Sequence, residues 1–221
     1  SNIDEDIYKD LFTVALASIL LEVSNLYRNG KCLSYKKNWK ERSISQDDVF
    51  RRFDEKIEEQ IISDIRDSMN RKTTNNKQHL YNMDSRVGIE NEVQDNTIDL
   101  VITSPPYLNS RDYTDTYMLE LKTLGFTDSA AEIRKLREKT LRSHVQIKWE
   151  DDTQINNVLL TETLRKLESA SENIEQWNDS IIDMVRLYFV DMKKIFCVLY
   201  KKMKQNGRVY FNVSNSAYFN V

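Results

Sequence analysis

The stretch Ile98-Asp-Leu-Val-Ile-Thr-Ser-Pro-Pro-Tyr107 decides the fold class of this 221-residue chain. Its first part, Ile98–Thr103, is a nearly continuous run of aliphatic and β-branched side chains. Such a run predicts a strand that is covered on both faces, as in a parallel sheet. The segment that follows contains both prolines of the chain, Pro105 and Pro106. Because adjacent prolines fix two φ angles and remove two backbone donors, the strand is expected to end in a stiff, extended turn.

Hydrophobic periodicity on either side of this strand predicts an α/β chain with long helical crossovers between parallel strands. Ahead of the strand, the predicted elements are a helix at 4–28 buried on most sides, a polar and basic connection at 28–44, a helix at 46–69 and a short strand at His79–Met83. After the strand, they are helices at 115–124, 129–142, 153–170 and 173–205 and a strand at Arg208–Val213.

Local signals set several of these boundaries. Ser45 and Asp48 have the spacing of a capping box at the start of the second helix. Gly125 is expected to end the helix at 115–124, and Gly207 is expected to end the longest helix. The core stripe of the helix at 46–69 is predicted to consist of Phe50, Phe53, Ile57, Ile61, Ile65 and Met69.

Composition excludes several classes of protein. Only 4 glycines and 2 prolines argue against a loop-rich all-β fold, and a formal charge of −3 argues against a basic, whole-surface nucleic-acid binder. The 2 cysteines lie far apart and the 2 histidines are isolated, so we expect reduced thiols, a cytoplasmic location and no metal site. The most apolar run, Leu11–Val23, is too short and too interrupted for a transmembrane helix, so no membrane partner is expected.

The proline turn is suited to bind a planar heterocycle that carries an exocyclic amine. The Ser104 hydroxyl and the Pro105 carbonyl can each accept one amine hydrogen, and the Tyr107 ring can lie against the heterocycle. Two acceptors favour a pyramidal nitrogen whose lone pair is available for attack on a methyl donor. The turn follows the carboxyl end of a predicted parallel strand, where open α/β sheets bind ligands. A base in DNA would have to leave the stack to reach it.

The run Asp99–Asn109 (DLVITSPPYLN) resembles the S-P-P-Y motif of the DNA amino-methyltransferases, which methylate an exocyclic base nitrogen with S-adenosyl-L-methionine. The resemblance implies a partial Rossmann-like class I methyltransferase sheet with a large helical N-terminal segment and helical insertions. It also implies S-adenosyl-L-methionine as cofactor and double-stranded DNA with a flipped target base as partner. The catalytic residues that it carries over are Ser104, Pro105, Pro106 and Tyr107, of which Ser104 and Pro105 hold the amine and Tyr107 stacks on the base.

The same resemblance assigns further residues. Asp84 stands where the family often has an aspartate near the cofactor adenine, although an exposed loop aspartate is the other interpretation. Thr103 and Asn212 are assigned to the cofactor side of the pocket. Basic and aromatic residues that either contact DNA or form an ordinary solvated face are Arg111, Tyr113, Lys36, Lys37, Arg137 and Arg142.

The cofactor loop of the family, F-x-G-x-G, is missing, because the four glycines are all isolated from one another. We therefore predict a fragment of a larger enzyme, with a helical segment at 1–77 and the target-base half of the catalytic domain at 78–221. Strands 98–103 and 208–213 are expected to be neighbours, and the strand before Asp84 is expected not to pair with them. Open sheet edges are expected to favour self-association, and the chain alone is expected to bind cofactor poorly.

Several functions stay open at the level of the sequence. Serine at position 104 favours cytosine N4 as the target, whereas the adenine-N6 enzymes of the family more often have Asp or Asn there. An amine in RNA or protein is a further substrate class. Non-enzymatic alternatives are a DNA-binding or assembly module of a modification system, and a helical interaction protein. A restriction endonuclease partner is a further expectation from the resemblance.

Overall fold

The structure of the chain, a computed structural model, describes residues 6–30, 32–70, 77–108, 112–172 and 180–221, with the side chain of Ile7 left out. The chain divides into two compact units. The first unit comprises Ser1–His79 and Tyr113–Ser129, and the second comprises Leu80–Asp112 and Ala130–Val221. Of the helices that the structure describes, none is long and apolar enough to cross a membrane.

The first unit begins with helix α1 (Asp6–Ile19), followed by an antiparallel hairpin of β1 (Leu26–Asn29) and β2 (Cys32–Tyr35). The predicted helix at 4–28 is therefore wrong beyond Ile19, and the predicted connection at 28–44 contains most of a hairpin. Gly30 has a φ of +57°, the positive value that a tight hairpin turn requires and that glycine adopts without strain. The prediction of burial on most sides of α1 is also wrong, since Val14 is 65% exposed.

A continuous helical segment follows, made of α2 (Gln46–Lys56), a π-helical turn (Ile57–Ile61) and α3 (Ile62–Asn70). It confirms the predicted helix at 46–69. The capping box is also confirmed, because the Ser45 side chain accepts a hydrogen bond from the Asp48 amide and the Asp48 carboxylate accepts one from the Ser45 amide.

The predicted core stripe of this helix is largely exposed. Phe53 packs against Phe12 of α1 at a ring-centroid distance of 6.0 Å. In contrast, Phe50 is 57%, Ile65 46% and Met69 80% exposed. Hydrophobic spacing alone marks the face that can be buried, and it carries no information on whether a neighbour covers that face.

The first unit also contains α5 (Tyr113–Thr116) and α6 (Met118–Thr123), which together confirm the predicted helix at 115–124. Gly125 ends α6 with a φ of +74° and donates its backbone N–H to the Lys122 carbonyl, so its predicted role is confirmed.

The second unit contains helices α4 (Ser85–Glu92), α7 (Ala130–Lys139), α8 (Val158–Ser171) and α9 (Ile181–Lys202). The helices predicted at 129–142 and 153–170 are thus confirmed, although α7 ends three residues earlier and α8 begins five residues later than predicted. Residues 173–179 of the longest predicted helix lie outside the described residues. The predicted end at Gly207 is wrong, because α9 ends at Lys202 and Gly207 lies within the following strand.

The sheet of the second unit pairs β3 (Ile98–Thr103) with β4 (Met203–Phe211) in parallel. This pairing confirms both strands of the prediction and their neighbour relationship. The register places Val101 opposite Val209 and Thr103 opposite Phe211. Ile98 pairs with Met203 and Leu100 pairs with Arg208, so β4 advances five residues while β3 advances two. The extra residues form a bulge in β4 near Asn206, whose φ is +68°.

Residues 79–83 were predicted as a strand, and that prediction is wrong. The structure assigns them neither strand nor helix, and the side chain of Leu80 is 98% exposed. A single extended segment gains little without a neighbour to accept its backbone hydrogen bonds. Among the described residues, β3 and β4 pair only with each other, so neither strand pairs with residues 79–83.

Helix α9 builds the core of the second unit and covers one face of the sheet. Its residues Tyr188, Met192, Ile195 and Leu199 form a buried cluster against which Val101 and Phe211 pack. A second cluster joins the start of α9 to Leu167 of α8.

The opposite sheet face is exposed, so the prediction that β3 is covered on both faces is wrong. Leu100 is 50%, Ile102 75% and Tyr210 57% exposed. The register places Ile102 directly opposite Tyr210, and these residues alternate with those that contact α9. The described part of the chain is therefore mixed α/β with two small sheets, one face of the parallel sheet being uncovered.

One buried carboxylate connects the elements of the second unit. Asp191, in the middle of α9, is 0% exposed. Its oxygens accept hydrogen bonds from Arg142 Nε (3.1 Å) and Nη2 (2.7 Å), and from Arg86 Nη1 (3.0 Å) of α4. The Arg142 amide donates to the same carboxylate at 3.1 Å. Asp191 thereby fixes α4 and the segment after α7 against α9.

We expect Asp191→Asn to lower the free energy of unfolding by about 3–5 kcal/mol, because it removes the fully buried carboxylate that two poorly solvated guanidinium groups share and leaves them only Asp84 and Asp151, which are more exposed. Denaturant unfolding monitored by circular dichroism measures the change. The control is Asp99→Asn, which breaks an exposed ion pair with Lys204 and should cost less than about 1 kcal/mol. Equal effects of the two substitutions would contradict a central role for Asp191.

Candidate active site

The candidate site lies where β3 and β4 end at the same edge of the sheet. The segment Ser104–Tyr107 follows β3, and Asn212 follows β4 directly. The backbone N–H of Asn212 donates to the Thr103 carbonyl at 2.9 Å, so the strand pairing continues one residue beyond the end of β4. The proline turn therefore leaves the sheet beside the first residue after β4.

Two polar side chains contact the hydroxyl of Tyr107. Ser104 Oγ lies 3.0 Å from Tyr107 Oη, and Asn212 Nδ2 donates to Tyr107 Oη at 3.3 Å. A serine hydroxyl has two lone pairs and one proton, so Ser104 keeps accepting capacity whichever hydroxyl donates in this pair. Ser104 is exposed, which leaves that capacity open to a ligand.

The C-terminal segment fixes the end of the turn. The Leu108 carbonyl accepts hydrogen bonds from Tyr218 Oη at 3.0 Å and from Ser216 Oγ at 3.3 Å. Leu108 also packs against both buried clusters of α9. Burial raises the pKa of Tyr218, so its hydroxyl remains a donor at neutral pH. The sequence carried no signal for this anchor, because it joins residues 110 positions apart.

An aromatic cavity of about 750 Å³ adjoins the turn. Its walls come from the turn, α8, α9 and β4, and include Tyr107, Leu108, Tyr188, Met192, Phe196 and Phe211. Burial, with a smaller contribution from the neighbouring Tyr107, raises the pKa of Tyr188, which keeps this phenol neutral at physiological pH. The cavity has the size and the mainly apolar lining of small-molecule sites.

Sequence analysis did not single out Tyr188 and Phe196 for this wall. They belong to the apolar pattern of the longest helix, which is the ordinary signal of a core residue. Only the position of α9 over the sheet shows that part of this pattern lines a cavity. Pro105 and Pro106 belong to the same half-buried turn as Tyr107.

The residues assigned to the cofactor lie on different elements of the second unit. Asp84 is the N-cap of α4, and its carboxylate accepts hydrogen bonds from the Arg86 amide at 2.9 Å and from the Arg86 side chain at 2.6–3.0 Å. These bonds lower the pKa of Asp84. Thr103 and Asn212 are joined to each other at the strand ends. Arg86 engages the Asp84 oxygens, and the assignment of Asp84, Thr103 and Asn212 to S-adenosyl-L-methionine stays a prediction.

The residues expected to contact DNA have different environments. Arg142 is only 6% exposed and spends its donors on Asp191 and Asp151, so its assignment to a DNA surface is corrected to a structural role. Arg137 Nε lies 2.6 Å from the buried carboxylate of Asp112. Lys36 donates to the Leu21 and Ser24 carbonyls, both at 2.8 Å, beyond the end of α1.

The remaining residues of that group are exposed or not described. Lys37 is exposed and Tyr113 is 51% exposed. Arg111 lies outside the described residues. Across the ranges that the structure describes, no group of three His, Cys, Asp or Glu side chains is arranged to hold a metal ion.

Comparison with known proteins supports the resemblance seen in the sequence. The chain is 32% identical to the Type II methyltransferase M.BsoBI of Geobacillus stearothermophilus over 178 aligned positions, covering 72% of this chain and 35% of that protein. It is 31% identical to the Type II methyltransferase M.AvaI of Nostoc sp. and of Anabaena variabilis over 230 positions, covering 94% of this chain and 46% of those proteins. The chain thus spans less than half the length of these curated relatives. No family model and no solved structure matches it.

Two lowered carboxyl pKa values predict a loss of stability in acid. Hydrogen bonds from Thr153, together with Arg142, lower the pKa of Asp151, and hydrogen bonds from Arg86 lower that of Asp84. Both carboxylates therefore stabilise the fold fully above about pH 4, the unfolded value, and lose this contribution as the pH falls through their folded values. We expect Asp151→Asn to reduce stability at pH 7 and to flatten its decline in acid.

Denaturant unfolding at several pH values between about 7 and 3 measures this effect. The neighbouring exposed Asp152→Asn serves as the control, because it removes a carboxyl of the same type one residue away. It should leave the acid decline unchanged. A decline that is identical in wild type and Asp151→Asn would contradict the assignment.

Proposed function

We propose, on the premise that this chain is homologous to the Type II DNA methyltransferases, that it carries the target-base half of a site-specific DNA methyltransferase. The observation that carries the proposal is the meeting of Ser104, Tyr107 and Asn212 at the carboxyl ends of two adjacent parallel strands, beside an aromatic cavity. The position agrees with the general rule for ligand sites in open α/β sheets.

In this proposal, each group of the turn has a defined task. The Ser104 hydroxyl and the Pro105 carbonyl accept the two hydrogens of the exocyclic amine and orient its lone pair away from them. Pro106 keeps the turn extended. The Tyr107 ring stacks on the extruded base, and Asn212 holds that ring in place through its hydroxyl. The turn therefore acts by positioning the nucleophile and by hydrogen bonds that favour its reactive geometry.

We propose cytosine N4 as the target amine. A serine hydroxyl at position 104 offers a neutral acceptor, and the sequence resemblance associates serine with cytosine. Adenine N6 is the alternative, because both amines are flat, exocyclic and carry two hydrogens.

The rest of the enzyme belongs to the proposal as well. We propose that S-adenosyl-L-methionine is the methyl donor and that a part of the protein corresponding to the unmatched length of the relatives provides most of its site, since Asp84 is engaged by Arg86. Further strands would then complete a Rossmann-like sheet, and the helices that connect them would cover its open face. Residues 1–77 as a helical segment, 78–221 as a partial catalytic domain and a cytoplasmic location stay predictions. So do a restriction endonuclease partner and self-association through the sheet edges.

Two observations favour a second function. The chain has no G-x-G loop, and the carboxylate expected near the cofactor is bound to arginine. A DNA-binding or assembly module of a modification system that has lost methyl transfer would share both features.

Methyl transfer from radiolabelled S-adenosyl-L-methionine to DNA tests the proposal, using a polypeptide that contains these residues with their natural flanking sequence. We expect Ser104→Ala to reduce the rate about a hundredfold, because one preorganised hydrogen bond to the reacting amine is lost. Tyr107→Phe, which keeps the ring, should retain more activity than Tyr107→Ala. Mass spectrometry of the digested product distinguishes N4-methylcytosine from N6-methyladenine.

Lys204→Ala is the control, because Lys204 forms an exposed ion pair on β4 and lies outside the proposed site. Its rate should equal that of the wild type. Equal rates for Ser104→Ala and wild type would refute the role of the turn. DNA binding without methyl transfer in the wild-type protein would favour the non-catalytic module.

A further inference from the structure

The segment after the hairpin of the first unit is held in a well-defined turn. The Lys36 amide donates to the Asn25 carbonyl at 2.9 Å, and Asn25 Nδ2 donates to the Trp39 carbonyl at 3.1 Å. Within the turn, the Glu41 amide donates to the Asn38 carbonyl at 3.0 Å. The Lys36 ammonium binds the carbonyls that follow α1. Residues 35–42 are thus tied to the end of α1 from both their backbone and their side chains.

This turn presents stacked aromatic rings next to cations. The rings of Tyr35 and Trp39 stack with a centroid distance of 4.3 Å and an interplanar angle of 21°, although Tyr35 is 59% and Trp39 37% exposed. Lys40 Nζ lies 5.7 Å from the Trp39 ring centroid, and Lys37 is exposed. We call Tyr35, Lys37, Trp39 and Lys40 the aromatic–basic turn.

A second pair of rings lies at α5, the helix that packs against β2, and at the residue that follows α5 directly. Tyr113 and Tyr117 stack at 6.4 Å with an interplanar angle of 15°, and both are more than 40% exposed. The Arg28 guanidinium lies 4.7 Å above the Tyr117 ring. Exposed aromatic rings and cations therefore recur within one compact unit.

The segment around the aromatic–basic turn has a net positive charge, whereas the whole chain has a net negative charge. Residues 27–42 contain six basic residues and one acidic residue, while the whole chain has a net charge of −3. Positive charge is thus concentrated in a short segment. The pKa of Lys36 is lowered by burial and by Arg42, which agrees with a locally positive potential.

We propose that the aromatic–basic turn is a DNA-contact surface in which Lys37 and Lys40 neutralise phosphates of the DNA backbone. Clustered lysines beside exposed aromatic rings match the chemistry of sequence-independent nucleic-acid binding. The hydrogen bonds that hold residues 35–42 reduce the conformational entropy lost on binding. The inference rests on the proposed function only in taking DNA as the partner.

A protein partner fits this surface less well. Protein interfaces are enriched in tyrosine and tryptophan, as this turn is, but they are depleted of lysine. Lysine ammonium groups are, in contrast, ordinary ligands of DNA phosphates. The two aromatic residues alone do not separate the partners, and the two lysines favour DNA.

Fluorescence anisotropy with a labelled duplex of about 20 base pairs, two helical turns, tests the proposal. We expect the double variant Lys37→Ala/Lys40→Ala to bind about tenfold more weakly at low salt, because two phosphate contacts are lost. The slope of log K against log salt should decrease by about 1.8, or 0.9 for each contact. Circular dichroism verifies that the variant is folded.

The matched control is Arg51→Ala/Arg52→Ala, which removes the same charge from exposed positions in the same unit. Both arginines pair with Asp48 or Glu55 on α2, so we expect less than a twofold change in DNA affinity. An equal loss in both double variants would overturn the proposal, since net charge alone would explain it. Unchanged affinity and salt slope in the lysine variant would also overturn it.

These outcomes are separate from those of the methyl-transfer assay. Weaker DNA binding of the lysine variant in a protein without methyl transfer supports the surface and refutes only the catalytic proposal. Normal methyl transfer with unchanged DNA affinity of the lysine variant refutes the surface alone.

Discussion

A single negative charge inside the second unit determines how its parts are arranged. Asp191 lies at the centre of α9 with no exposure to solvent, and it accepts hydrogen bonds from two arginines that are more than 40 positions away in the sequence. A charge in this position is tolerated only when its partners are in place. The Asp191 cluster therefore couples the capped start of α4, the segment after α7 and the helix that covers the sheet. Removing the Asp191 carboxylate would leave Arg86 and Arg142 only with their more exposed partners, Asp84 and Asp151.

The candidate site depends on that arrangement indirectly, through helix α9 and the sheet. Helix α9 supports the sheet through Val101 and Phe211, and the sheet aligns the two strand ends from which the site is built. Hydrogen bonds from Asn212 and Tyr218 then fix the turn at Tyr107 and Leu108. The proline turn contributes stiffness, but its direction is set by residues that follow β4. A short motif is thereby oriented by side chains about a hundred positions later in the chain.

Sequence reasoning succeeded where the deciding interactions are local and failed where they are distant. The capping box at Ser45 and the helix stop at Gly125 depend on neighbouring residues, and both are confirmed. The strand at 98–103 is also confirmed, because its aliphatic run is visible locally even though its partner β4 is distant. The helix at 4–28 failed because hairpin pairing overrides the helical pattern after Ile19. Burial of β3 on both faces and the strand at 79–83 presupposed neighbours that the described chain does not supply. For the site, the motif was visible, whereas Arg142 looked like a surface cation because its partner, Asp191, is 49 positions away.

The π-helical turn at Ile57–Ile61 changes how the apolar residues of this helical segment are placed around the helix axis. Phe53, Ile57, Ile61, Ile65 and Met69 recur every four residues, and in a pure α-helix each step of four would rotate the stripe by about 40° around the axis. A π-helical turn holds more residues than an α-helical turn, so it opposes this rotation and keeps the stripe closer to one side. The π-helical turn thus accommodates one residue more than an α-helical turn would at the same place. Deletion of one residue from the π-helical turn would rotate the side chains of α3 by about 100° relative to those of α2, while the amino-acid composition would hardly change.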